Sequence, residues 1–437
     1  MDCPRRLGTT SILLLFLLPA CISAQPSASL SSPPCPGGWA GVEAPASQTD
    51  PTALLSQADT LRAYGDYDGA LALYHRARSL SLGTSTADTV LLRIAQVYLE
   101  MGRPESAATS LYPALAWLPA QPQHHAHFLL AEAYRQSGDC RLALPYYRRY
   151  LRDGTVLEDL VAERMAYCHR DLGDRTRAAE AFTRAAGSYR SLSDQVAMLE
   201  EAARESRAVS SYEQAQERYE RILSISRLPW YRARILYWTG EVLEEAGRPE
   251  EAEARWQEAL SSYPNTIGAS WAADALLSAE IRPDPYDVAR AYRAAGRLQE
   301  ALAWFEEALL QAAGPSADLR YALAAVRAET GDLEGALGEM DALFQEFPGD
   351  PSPLLEKGRI LADAGEIERA LRAYDRTVQE FPADWAAGEA LWRRGQLLEE
   401  QGHVEEALAA YSSLLDSYAG HEKVAGARFH SGLVRYR

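Results

Sequence analysis

The chain has 437 residues, 47% of them hydrophobic, which is ample apolar material for a continuous core. Its 61 acidic and 44 basic side chains give a formal charge of −17 and a pI near 5.0. That balance excludes a general binder of nucleic acid or of an anionic membrane surface, since either needs a basic face. The cations are almost all arginine, only Lys357 and Lys423 being lysine, and a genome-wide codon bias explains this more simply than phosphate recognition.

Residues 1–24 read as an export signal. Arg5 and Arg6 precede the apolar run Ile12–Leu18, which is too short to cross a bilayer as a helix. Leu18-Pro19-Ala20-Cys21 has the form of a lipobox, in which Cys21 becomes the lipid-modified first residue. The competing reading is ordinary cleavage after Ala24. Residues 25–50 are rich in Pro, Ser, Gly and Ala without hydrophobic periodicity, so a disordered tether is expected. Together these predict an exported protein of the cell envelope that meets a membrane only through a lipid anchor.

From residue 51 onward one pattern recurs. Ala70, Ala107, Ala143, Ala178, Ala215, Ala252, Ala301, Ala336, Ala370 and Ala407 follow each other at 34 to 37 residues, with a single interval of 49 after Ala252. Five residues before each stands a glycine, from Gly65 to Gly402, except for Ser210 in the fifth unit. Four residues after each stands a bulky side chain, such as Tyr74, Phe182, Trp256 or Tyr411. A glycine there ends one helix in a left-handed conformation, and the alanine lets a second helix cross closely. The bulky residue one turn later shares the alanine's face and fills the core. Small residues such as Ala95, Gly240, Gly358 and Gly395 lie seven positions before the turn, on the first helix of each unit.

The long interval contains Gly268–Leu277, which reads as an additional helix ended before Pro283 and Pro285. This divides the chain into an array over 51–264, an extra helix or bend over 265–285, and a second array over 286–437. Ala427–Leu433 begins an eleventh unit, and the sequence stops before its turn glycine, so the second array reads as truncated.

Small, bulky, Gly, Ala, bulky and Pro in one helix–turn–helix unit resembles the tetratricopeptide repeat. The resemblance implies an all-α superhelix of about ten helix pairs plus one terminal helix, and a non-catalytic scaffold that binds a protein or peptide. In that family the fifth position of each first helix faces the concave groove. Carried onto this chain, those positions hold Phe128, Tyr237, Tyr286, Tyr321, Trp392 and Phe429, with Leu55, Leu92, Glu163, Glu200 and Leu355 at the others. Glu241, Glu244, Glu245, Glu399 and Glu400 lie nearby. Such a lining suits an extended ligand with apolar and basic groups. The alternative is that the rings pack against neighbouring first helices as core.

The sequence holds no phosphate-cradling glycine loop, CxxC pair, HExxH helix or GxSxG elbow, and so no catalytic, cofactor or metal site is expected. His124, His125 and His127 do not share one helix face and read as a solvated helix entrance. Cys140 and Cys168 lie on helices that run antiparallel, so a bridge and two separate thiols both remain open. A further, more generic resemblance links the lipobox, the tether and the array to the helical N-terminal part of soluble lytic murein transglycosylases. It implies peptidoglycan as a partner and a catalytic domain beyond Arg437. The third functional reading is a subunit of an envelope assembly or secretion complex.

Overall fold

The computed structural model describes residues 50–152, 157–189, 191–312 and 316–436. The export signal, Cys21 and the tether lie outside the described residues. What is described is all-α, without a strand.

Five helix pairs come first: α1 (Pro51–Ala63) with α2 (Tyr67–Leu80), α3 (Ser85–Glu100) with α4 (Pro104–Leu111), and α5 (Ala120–Gln136) with α6 (Cys140–Arg152). They continue with α7 (Glu158–Asp171) and α8 (Arg175–Ser188), then α9 (Leu192–Ala208) and α10 (Tyr212–Ile225). The sixth pair is α11 (Pro229–Glu245) and α12 (Pro249–Ser262), after which α13 (Ile267–Ser278) is inserted. Four more pairs follow: α14 (Pro285–Ala294) and α15 (Leu298–Gln311), then α16 (Ala317–Glu329) and α17 (Leu333–Glu346). The last two are α18 (Ser352–Asp363) with α19 (Ile367–Glu380) and α20 (Trp385–Glu400) with α21 (Val404–Ser417); α22 (Val424–Tyr436) ends the array.

Every pair turns at the expected residue. Gly65 sits at φ +83° while its N–H donates to Arg62 and the next N–H, of Asp66, reaches back to Leu61. This satisfies two orphan carbonyls at the helix end. Ser210 adopts the same conformation at φ +58° with the same bonds, so the fifth turn keeps the geometry without the glycine. A like turn that no glycine announces closes α13: Glu280 stands at φ +61° and Ile281 N–H donates to Leu276. Pro113 departs from the common pattern, for α4 stops at Leu111 and passes into a 3-10 turn over Tyr112–Ala116.

All ten repeat alanines are fully buried, and so are their bulky partners. The small residue of the first helix has a specific purpose. A Cβ on Gly240, Gly358 or Gly395 would come within 2.2, 2.5 or 2.4 Å of the rings of Trp256, Tyr374 and Tyr411 respectively. The aromatic of the second helix thus lies flat against the backbone of the first. Where that aromatic is tyrosine, a first-helix carboxylate can accept its hydroxyl, as Asp59 does from Tyr74 at 2.5 Å and Glu399 from Tyr411 at 2.9 Å.

First helices touch each other along the array, α1 on α3, α3 on α5 and α11 on α13, so they form the tighter, inner layer of the superhelix. Ion pairs span that layer, Arg207 to Glu245 at 2.7 Å and Arg293 to Glu329 at 2.7 Å among them. Helix α13 occupies the place of a next first helix, against both α11 and α12, and α14 then rests on α13 and α12. One core runs through this junction, joining Leu236 and Trp256 to Ala272, Leu276, Val288 and Phe305.

Candidate functional site

The inner layer opens at the inserted helix. Tyr237, Glu241 and Glu244 share one face of α11 by helical spacing, and Trp271, Asp274 and Ser278 of α13 stand opposite. Between them lies a cleft of about 300 Å³. Its floor is Trp256 of α12, 2% exposed, whose indole nitrogen donates to the Tyr237 carbonyl at 3.2 Å because Gly240 leaves room for the ring. Tyr237 and Trp271 form the walls, their ring centres 5.6 Å apart and tilted by 58°.

The electrostatics are one-sided. Glu241 pairs with Arg207 at 3.3 Å, but Arg207 is shared with Glu245. Asp274 accepts from Arg297 at 2.7 Å and from the Tyr292 hydroxyl at 2.7 Å, and Arg297 is shared with Glu300. Glu244 is exposed, and among the described residues no cation pairs with it. Burial and then the Glu241 charge push the Tyr237 hydroxyl up to about 12, so it stays a neutral donor at ordinary pH.

The other predicted groove residues are not assembled into one surface. Phe128 is half-buried and lies 5.2 Å from Tyr150 in its own repeat core. Tyr286 is half-buried, 5.9 Å from Phe305, with the Arg290 guanidinium 5.4 Å from its ring. Tyr321 is half-buried against the core of α17 to α20, and burial raises the pKa of its hydroxyl. Trp392 packs between Tyr411 at 5.6 Å and the edge of His430 at 5.3 Å, with Gly426 of α22 beneath it. Glu399 accepts from the Tyr411 hydroxyl and meets His430 Nδ1 at 2.8 Å, so it ties α20 to α21 and α22. Phe429 is 67% exposed on α22, its ring edge-on to that of His430 at 5.7 Å.

Trp271 and Asp274 are site residues that the repeat register does not reach, whereas Trp256 is the register's own bulky residue, expected as core and found also as the cleft floor. Trp271 and Asp274, three apart in the segment outside the period, were the available signal. His124 is half-buried and stacks on Tyr150 at 4.3 Å, and His127 is half-buried near Tyr146, so this entrance is less solvated than the spacing suggests. Among the described residues no group of three side chains is placed to hold a metal ion, and no helix is long and apolar enough to cross a membrane. Cys140 and Cys168 are buried free thiols of one core. Burial, then the neighbouring Cys140, raises the Cys168 pKa well above the usual thiol range.

No curated protein matches the chain. Among solved structures it is similar to Naa15/Naa10 bound to HypK-THB, at 16% identity over 89% of this chain and 68% of that one, with a TM-score of 0.41. It is also similar to a tetratricopeptide repeat protein from Parabacteroides merdae, at 13% identity over 64% and 99% of the two chains, TM-score 0.35. A third is YrrB, described as a TPR protein with an unusual peptide-binding site, at 21% identity over 45% and 91%, TM-score 0.26. None of the three is a murein transglycosylase, and that resemblance gains no support from them. The tetratricopeptide repeat model matches residues 92–157, 128–193, 200–267, 286–351 and 355–422, each match opening inside a first helix. These matches cover well over half of the chain in phase with the turns and buried alanines of its helix pairs, and the chain belongs to the tetratricopeptide repeat family.

Proposed function

We propose that this chain is a non-catalytic scaffold of the cell envelope, anchored through a lipid on Cys21, that holds a protein partner against its inner layer. The carrying observation is the cleft between α11 and α13, where two aromatic walls and an unpaired carboxylate line a solvent-open space in the layer of first helices. A layer of this kind offers an extended chain both apolar area and directional charge, and aromatic anchors supply most of the energy in such contacts. The basic start, short apolar run and Leu18–Cys21 box support export and anchoring. Membership of an envelope assembly or secretion complex fits the same surface. The excess negative charge disfavours the carboxylate-bearing strands of peptidoglycan, so the wall-lytic alternative gains nothing from this site.

Two measurements test the proposal. Mass spectrometry of the mature N-terminus is expected to find diacylglycerol on Cys21; a plain peptide beginning at Gln25 overturns the anchor and keeps export. A photo-crosslinking residue at Ser278, on the cleft rim, is expected to capture a discrete protein in cells, while the same residue at Leu310, 86% exposed on the outer helix α15, captures none. Equal capture at both positions, or none at Ser278, overturns the inner layer as the binding face.

A further inference from the structure

The same helix that lines the cleft shows what fills such a space. On α11, the Arg234 guanidinium lies 4.6 Å from the Tyr231 ring centre and 4.8 Å from that of Trp238, with Glu200 as its countercharge at 3.4 Å. Two aromatic faces and a carboxylate there enclose a cation that the chain supplies itself. One step along the layer, Tyr237 and Trp271 repeat the two faces, and Glu241, Glu244 and Asp274 repeat the carboxylate. Among the described residues no cation lies over either ring. The cleft therefore has the walls and the charge of the Arg234 site without its occupant.

The charge is in surplus even after the chain's own arginines are counted. Arg207 is shared by Glu241 and Glu245, Arg297 by Asp274 and Glu300, and Glu244 pairs with neither, so five carboxylates against two guanidiniums leave an excess of three negative charges. A cation over an aromatic face is favoured by the ring quadrupole, more so when partly desolvated, and guanidinium also stacks flat. A volume of about 300 Å³, floored by Trp256, admits one long side chain and not a folded element.

We propose that the α11–α13 cleft is a cage for a single arginine side chain presented by an extended segment of the partner protein. The guanidinium lies over the open side of the tilted Tyr237–Trp271 pair, whose ring centres at 5.6 Å are too close to admit it between them, and pairs with Glu244. This rests on the scaffold reading and assigns the chemistry of its recognition.

The test uses the full chain with 5-fluorotryptophan at all nine tryptophans, Trp271→Phe identifying the relevant resonance. The probes are acetyl-Gly-Arg-Gly-amide, its citrulline counterpart, which has the same shape without charge, and its lysine counterpart. The arginine peptide is expected to shift the Trp271 resonance saturably, with the citrulline peptide roughly tenfold weaker and the lysine peptide intermediate. Glu244→Gln, an exposed change that leaves the core alone, is expected to weaken the arginine peptide roughly threefold to tenfold. Equal binding of arginine and citrulline, a shift untouched by Glu244→Gln, or no shift at Trp271 overturns the cage. Lysine binding as well as arginine overturns the guanidinium assignment. Capture at Ser278 without any arginine dependence removes the cage and leaves the scaffold reading standing, so the two failures are distinguishable.

Discussion

Two regions of the array carry nearly the same side chains at the same repeat positions and come to opposite ends. On α11, Tyr237 tilts against Trp271 with ring centres 5.6 Å apart, and Glu244, at the repeat position of Glu399, faces the cleft. On α20, Trp392 and Glu399 face α22, where Gly426 admits the Trp392 ring and His430 closes on both. The first set lines a cleft and the second is a clasp. The difference lies in what the following helix offers: a short inserted α13 presents a ring and an acid, which cannot satisfy Glu244, whereas α22 presents an imidazole and a bare backbone. An aromatic–acidic stripe is thus neither core nor groove by itself.

The largest effect expected from breaking the clasp is Tyr411→Ala. Its ring is fully buried against Gly395, and removing it should cost on the order of 3–5 kcal/mol. In an array this appears as early loss of hydrogen-exchange protection in α20–α22 and not as global unfolding.

The paired substitution Trp392→Ala and Trp271→Ala sharpens the comparison. The clasp tryptophan should cost about 2–3 kcal/mol, and the cleft tryptophan under about 1 kcal/mol, in thermal or urea unfolding. Partner capture should show the reverse order, being lost with Trp271→Ala and retained with Trp392→Ala. Equal destabilisation by both changes would make the cleft wall a part of the core.

The turns that close the two regions differ in the same sense. Helix α13 ends on Glu280 in the left-handed region and α20 on Gly402 at φ +77°. Glu280→Gly should gain, and Gly402→Ala should lose, about 1 kcal/mol, because a Cβ is strained there and glycine is not. A smaller gain, under about 1 kcal/mol, is expected for Ser210→Gly, whose side chain is the shorter of the two.

The smallest effect is spectroscopic. The folded-state pKa of Tyr237 is raised to about 12 from an ordinary value near 10. A group raised in this way favours the fold while it stays protonated, so its contribution is complete below pH of about 10 and is lost as pH climbs toward about 12. Tyr237→Phe should remove one tyrosine's share of the phenolate absorbance rise near pH 12 and leave the curve near pH 10 unchanged. If it instead removes absorbance near pH 10, the ring is more solvated than the cleft geometry requires.

How far the sequence reaches can be followed residue by residue. The period alone located every pair, because a helix that must reverse within three residues leaves a mark at the turn and another at the crossing: Gly65 to Gly402 and Ala70 to Ala407 all take the predicted places. It also marked the inserted helix within about a residue at each end, since an apolar segment outside the period still has to be buried. Glu280 was not legible, for a charged residue gives no sign that packing will hold it left-handed. Nor was the fate of Phe128, Tyr286, Tyr321 or Trp392, all in the register of Tyr237 but half-buried against different neighbours.

Local pattern therefore determined the helices, their turns and the alanine-on-aromatic core, because those depend on spacing along one chain and on contacts within a single pair. Which stripe stayed open was decided by the tertiary structure alone. A ring's exposure is set by the gap to the next first helix, and that gap depends on the length and side chains of an element the repeat register does not contain.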